Sequence, residues 1–291
     1  MTDLQVTTPD GRVLQVLETG VPDGVPVVFL EGMPNSRLVF GPWAALAAQK
    51  GIRLISYDRP GYGGSDPFPG RTVADCEIVL RAIAAALGID RMGAYGVSGG
   101  GPHALAVAAL MADLVPAVVV LGSPAPWGAA GLDYLAGMGE RNVEVIQLYF
   151  EDREAARARC ESKRKELIAV DAEQLLESWE TLLAPVDRAQ LSGDLAEFFI
   201  VSLRDGLSPG SEGWWEDDVA TKEHWGFELN EIRTPVLLMH GHQDRFVPVT
   251  HGQWLADHIP GVDARISEAD GHLSLSEGHL PEIFDWLLER V

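Results

Sequence analysis

Short, unbroken apolar runs alternate with longer stretches of helical period along most of this chain, and that rhythm constrains its fold more than any other feature. Val27-Val28-Phe29-Leu30 and residues 52–57, 92–97 and 115–121 are such runs, and helices are expected over about 37–49, 73–87 and 99–111. Strands this apolar are covered on both faces, and crossover helices between them make the strands parallel. Thr72 with Asp75 three residues on reads as a capping box for the second helix, and Gly88 reads as its stop. Residues 4–8 and 13–17 flank Pro9-Asp10-Gly11, and Asp-Gly supplies the positive φ of a tight turn, so the chain should open with an antiparallel hairpin.

Between residues 124 and 230 the rhythm breaks. Helices are expected over about 132–150, 153–170, 172–183 and 188–204, with Ser208-Pro209-Gly210-Ser211 as a loop and no strand. Strand character returns at 235–240 and 263–266, with helices near 250–258 and 281–289. The expected architecture is one α/β domain, residues 1–125 and 232–291, with a mostly parallel central sheet flanked by helices. A helical insertion, residues 126–231, interrupts it after strand six.

Charge narrows the function classes. Lys and Arg total 22 against 43 for Asp and Glu, a formal net charge of −21 with no cluster of basic residues expected anywhere, so nucleic acid and anionic membranes are repelled. The acidic residues are spread along the chain and read as a solubility feature. Cys76 and Cys160, the 2 cysteines, lack metal-type spacing, so neither a metal site nor a cofactor is expected. Met1-Thr2-Asp3-Leu4 has no basic and apolar leader, which favours the cytoplasm. The apolar stretch 104–121 is broken by Asp113 and Pro116 and reads as a helix followed by a strand, not as a membrane span.

The chemistry starts at Gly96-Val97-Ser98-Gly99-Gly100, a G-x-S-x-G pattern. Alone it is weak; between a strand and a helix it places Ser98 at the carboxyl edge of the sheet, beside a helix N-terminus. A serine hydroxyl needs a histidine base, and the base needs a carboxylate to hold its tautomer. Asp244 falls just after the strand at 235–240, and His272 falls after the next strand. Asp270 does not follow a strand and reads as a solvated loop residue, and His240 and His242 read as supporting residues.

These motifs make the sequence similar to the α/β-hydrolase superfamily, in its capped serine-hydrolase branch of esterases and carbon-carbon bond hydrolases. The likeness covers nearly the whole chain. Asp58-Arg59-Pro60-Gly61-Tyr62-Gly63-Gly64-Ser65 resembles that branch's structural D-x-R-G-x-G-x-S loop. Glu31-Gly32-Met33-Pro34 stands where the branch normally has His-Gly-x-Pro, so the resemblance implies an oxyanion hole made by the backbone N–H groups of Met33 and Gly99. Glu31 departs from the pattern. It must be protonated, paired with Arg37 or Arg59, or turned away, and otherwise it is an extra acid or base.

A serine at the elbow argues against dehalogenases and epoxide hydrolases, which use Asp there. Haloperoxidase and aminopeptidase activity are compatible with it, although aminopeptidases usually carry His-Gly-Gly-Pro-Gly where this chain has Glu31-Gly32-Met33-Pro34-Asn35. The resemblance makes the insertion a cap, whose Trp127, Tyr134, Trp179, Trp214, Trp215 and Trp225 either line an apolar substrate pocket or pack the cap on the core. The expected activity is metal-free hydrolysis of a carboxylic ester or lactone of a small, largely apolar molecule by Ser98, His272 and Asp244, with Glu31, Gly32, Trp127, Trp214 and Trp215 around the substrate. A carbon-carbon bond-cleaving or non-hydrolytic enzyme and a ligand-binding receptor stand as alternatives. Amphipathic cap helices can also carry a homodimer contact, which the sequence does not decide.

Overall fold

The computed structural model, which describes all 291 residues, places eight strands in one sheet: β1 (Thr2–Thr7), β2 (Val13–Gly20), β3 (Val25–Leu30), β4 (Ile52–Tyr57), β5 (Gly93–Val97), β6 (Val118–Leu121), β7 (Val236–Gly241) and β8 (Asp263–Ser267). Their order is β1-β2-β4-β3-β5-β6-β7-β8. The β1–β2 and β2–β4 pairs are antiparallel and every later pair is parallel.

Side-chain alternation explains the layers. In β3, Val28 and Leu30 enter one apolar cluster while Val27 and Phe29 enter the other, and β6 and β7 divide their residues in the same way. The first cluster is closed by α2 (Cys76–Leu87), α3 (Gly101–Leu110) and α10 (Val249–His258). The second is closed by α1 (Gly41–Gln49) and α11 (Leu273–Leu288). Burying both faces stabilises each central strand by about 1.5–3 kcal/mol per large aliphatic side chain.

Between β6 and β7 lie α4 (Glu140–Glu151), α5 (Arg153–Leu167), α6 (Ala172–Ser178), α7 (Pro185–Gln190), α8 (Gly193–Gly206) and α9 (Glu212–Lys222). This all-helical insertion packs onto the sheet domain through Tyr62 on one side and through Phe40, Trp43, Phe246 and Leu273 on the other. No helix is long and apolar enough to cross a membrane.

Several helix bounds differ from the sequence reading, each for a local reason. α1 begins at Gly41, because residue 42 is a proline suited to a first turn and Arg37 is tied to Asp58. The stretch expected as a helix from 132 has Gly131 and Gly137 at φ 81 and 84, and the helix starts only at Glu140. Residues 188–204 are two helices, parted just before Gly193 at φ 53. α9 lies in a stretch for which no helix was expected. α11 starts at Leu273 and runs through Pro281, eight residues earlier than expected, because its first turn is capped from the insertion.

Basic residues are not scattered evenly either. α5 carries six of them against three acidic ones in a chain whose net charge is −21, so the cationic charge concentrates on one inserted helix.

Candidate active site

β5 ends at Val97, and the chain turns through one short 3-10 turn, Ser98–Gly100, into α3. Ser98 sits at φ 54, the one residue other than glycine with positive φ. Such a backbone costs about 1–3 kcal/mol and persists where its surroundings over-determine it. Here they do: a Cβ on Gly96 would lie 2.4 Å from the Gly100 carbonyl oxygen, and one on Gly100 would lie 2.0 Å from that of Leu30. Only glycine lets the turn close, and the closed turn presents Ser98 to two adjoining cavities.

Asp244 follows β7 and His272 precedes α11. The His272 Nδ1–H donates to Asp244 Oδ2 at 2.6 Å, and both residues are buried. The other carboxylate oxygen of Asp244 accepts from the Phe246 and Val247 amides at 2.8 Å each, so the carboxylate cannot swing away from the imidazole. Phe246 stacks on His272 with ring centres 4.7 Å apart, and a Cβ on Gly122 would lie 3.1 Å from Nδ1. Burial opposes a charged imidazole, but the charge and hydrogen bond of Asp244, helped by the charge of Asp187, outweigh it and raise the His272 pKa. His272 and Ser98 line the same cavity without a direct hydrogen bond between them, a link that commonly tightens only with substrate bound.

His240 is buried with Nε2 2.8 Å from the Val247 carbonyl and 3.6 Å from Asp244, so it braces the Asp244 turn. Burial lowers its pKa and keeps it neutral. His242 is half exposed. Asp270 turns from the imidazole to bond Ser267 at 2.5 Å and His279 at 3.1 Å, clamping its loop onto α11.

The loop after β3 lies against the elbow. A Cβ on Gly99 would sit 2.6 Å from Met33 Cγ, and one on Gly32 would sit 3.3 Å from Ser98 Cβ. The larger cavity, about 200 Å³, runs under the insertion past Trp214, Trp215 and Tyr134. The smaller, about 110 Å³, is walled by Phe29, Trp43, Phe198 and Phe199 and includes Glu31, Gly32 and Glu277. Met33, Ser98, Trp179 and Phe246 border both. Trp127 borders neither, because its ring is stacked on Phe150 at 4.2 Å and packed against Tyr134. Trp225 is in the sheet core beside Phe227.

A sequence model of the alpha/beta hydrolase fold matches residues 25–279. The chain belongs to this family. Among characterised relatives, it is 27% identical over 228 residues to 2-hydroxy-6-oxononadienedioate/2-hydroxy-6-oxononatrienedioate hydrolase of Paraburkholderia phymatum, covering 77% of this chain and 72% of that protein. Solved structures of similar fold include an esterase of Exiguobacterium antarcticum (TM-score 0.70, 21% identity, 99% and 98% of the two chains). The enol-lactonase of Burkholderia xenovorans LB400 is another (TM-score 0.64, 18% identity, 98% of each chain).

In this alpha/beta hydrolase the departure at Glu31 is built into a buried ionic chain. Arg59 Nη1 donates to Glu31 Oε1 at 3.1 Å while Arg59 Nε donates to Asp217 of α9 at 2.8 Å, and Arg71 and Tyr62 also reach Asp217. Arg37 takes no part, being held by Asp3, Asp58 and Asp205. Burial pushes the Glu31 carboxyl up to about 8, since Arg59 is shared with Asp217 and Glu31 Oε2 has no partner. Glu277 is a second, half-buried carboxyl on the same cavity, pushed up by burial and held by the Trp43 indole N–H at 3.1 Å.

Sequence reasoning missed one residue at this site altogether. Asp187, in α7 of the insertion, is fully buried and accepts from the backbone amides of His272 and Leu273 at 2.9 Å and of Ser274 at 3.0 Å. A carboxylate at a helix N-terminus is favourable. This one fixes the backbone that carries the imidazole. Nothing near Asp187 in the sequence signals it, because its partners are 85 to 87 residues away.

Proposed function

We propose that this hydrolase cleaves a carboxylic ester or lactone through an acyl-enzyme, with Ser98 as nucleophile, His272 as general base and then acid, and Asp244 holding the imidazole. The single observation that carries the reading is a serine forced to positive φ at a strand-to-helix turn, opening onto the same cavity as an imidazole bonded at 2.6 Å to a buried carboxylate. Ser98 Oγ attacks the carbonyl carbon as His272 Nε2 takes its proton. The carbonyl oxygen, now an anion, is held by the Met33 and Gly99 N–H groups, at about 2.7–4 kcal/mol per donor in comparable sites. His272 returns the proton to the departing alkoxide, and water activated by the same imidazole frees the acid and Ser98.

The test is an activated ester with a fluorophosphonate label. Wild-type protein should turn over the ester and take the label at Ser98, while Ser98→Ala should lose both and keep its fold by circular dichroism. Labelling that persists in Ser98→Ala would place the nucleophile elsewhere.

A second reading, carbon-carbon bond hydrolysis, is favoured by Glu31, whose carboxyl stays protonated near neutral pH and borders the cavity with Ser98. It agrees with the name of the Paraburkholderia relative. On this reading Glu31→Gln would abolish cleavage of a 2-hydroxy-6-oxo dienoate and spare esters.

A further inference from the structure

The larger cavity carries four cationic side chains, two of which the protein leaves without a close counter-ion. Arg141 of α4, Arg159 and Lys163 of α5, and Lys222 of α9 all line it together with Ser98. Lys222 is matched by Asp218 at 2.6 Å, and Lys163 by Glu166 at 2.5 Å. Arg159 reaches only the exposed Glu144, through Nη2 at 3.4 Å, and its Nη1 is buried without any partner. Arg141 has no ion pair; its Nη1 donates at 2.5 Å to the Ser178 carbonyl. Burial together with the charge of Arg159 lowers the pKa of Arg141, with Glu166 opposing weakly.

A partly buried guanidinium with no counter-ion, as at Arg141, or only a distant exposed one, as at Arg159, gains from a ligand that supplies one. Two at one wall of a mostly apolar cavity suit a planar anion, since arginine presents parallel N–H groups to both oxygens of a carboxylate. The placement is also selective: in a chain of net charge −21 a solvated face would as readily be acidic.

We infer that Arg141 and Arg159 form a carboxylate-binding subsite, so that the substrate is an ester with an apolar middle and a free carboxylate at the end remote from the scissile carbonyl. The inference rests on the reading of Ser98 as nucleophile for its orientation, though not for its existence. The expected substrate is thus amphiphilic, not wholly apolar.

The experiment measures equilibrium binding to Ser98→Ala, which needs no turnover, of monomethyl suberate and of its neutral counterpart dimethyl suberate. The half-acid should bind about tenfold or more tighter at low salt, with the preference shrinking as salt rises. Arg141→Met and Arg159→Met, added singly to Ser98→Ala, should each erase most of that preference, and Arg157→Met on the exposed side of α5 should not. Equal binding of the two esters, or a preference that survives both arginine substitutions, overturns the inference. Should Arg141→Met fail to fold by circular dichroism, Arg159→Met and the salt series decide. Preferential binding of the half-acid with no ester turned over by wild type would sink the esterase reading and leave the subsite standing; neutral esters turned over without the preference would do the reverse.

Discussion

Two buried carboxylates reach His272 from opposite regions of the molecule, and they do different things. Asp244 comes from the sheet domain and bonds the imidazole itself at 2.6 Å; Asp187 comes from the insertion and bonds only backbone amides, at 2.9 to 3.0 Å. The first governs tautomer and proton affinity. The second governs where the ring stands. The insertion is therefore more than a roof over the cavities, since one of its short helices supplies the acceptors that end α11 beside the imidazole. The region that lines the larger cavity thus also fixes the backbone of His272, the proposed base.

Breaking the sheet-side carboxylate should have the larger effect. Asp244→Asn leaves the volume unchanged but offers the imidazole a donor as readily as an acceptor, and kcat should fall by about 10⁴, as in the serine-protease precedent. Steady-state kinetics on an activated ester would show it. A loss under tenfold would move the orienting role to another residue.

Removing the insertion-side carboxylate should produce a different signature. Asp187→Ala strands three buried amide donors, each at about 1–3 kcal/mol, and leaves room into which the His272 backbone can shift. A displacement of about 1 Å costs on the order of 10²-fold, so kcat should drop by that order and the thermal midpoint should fall with it. Asp244→Asn should change kcat far more than the midpoint. If Asp187→Ala lowers stability and spares kcat, Asp187 is a helix cap and nothing more.

The two carboxylates also differ in how they set the pH response. The proposed mechanism needs the neutral imidazole, and the His272 pKa is raised above the ordinary histidine value, so kcat/KM should climb with pH through a limb above about 6.5. Asp187→Asn keeps an acceptor but loses the charge that helps raise this pKa, and should move the limb slightly toward lower pH. An unchanged limb would show that Asp187 acts by geometry alone.

How much of this was legible in the sequence follows the same division. The central strands were readable because β3, β6 and β7 are apolar on both faces, and Ser98, Asp244 and His272 were readable because they fall after β5, β7 and the less apolar edge strand β8 in the required order. The structure bonds the imidazole to Asp244 and brings it to the same cavity as Ser98, with no bond between the imidazole and Ser98. The insertion was readable only as helical. Its bounds depend on glycines such as Gly137 and Gly193 with positive φ, and its functional residues depend on partners distant in the chain. The early start of α11 shows the same limit, since the residue that caps it is Asp187. Trp127 was singled out as an aromatic residue in or beside the insertion, and its ring is spent on Phe150.

The smallest expected change in turnover concerns Glu31, which touches the sheet side through Arg59 and, via Asp217, the insertion. Its folded-state pKa, near 8, lies above the ordinary value of 4.5. Between those two values the unfolded chain has released the proton that the folded chain still binds, so this group makes stability fall as pH rises, by about 1.4 kcal/mol per pH unit at most. Its stabilising contribution is complete below about 4.5 and gone above about 8. Glu31→Gln cannot ionise and still offers Arg59 an acceptor. It should therefore match the wild type in denaturant unfolding near pH 5, exceed it progressively toward pH 8, and keep ester turnover within a few-fold. A gap that narrows with rising pH would show that Arg59 holds Glu31 ionised, and a collapse of ester turnover would make its carboxyl part of the reaction and not part of the frame.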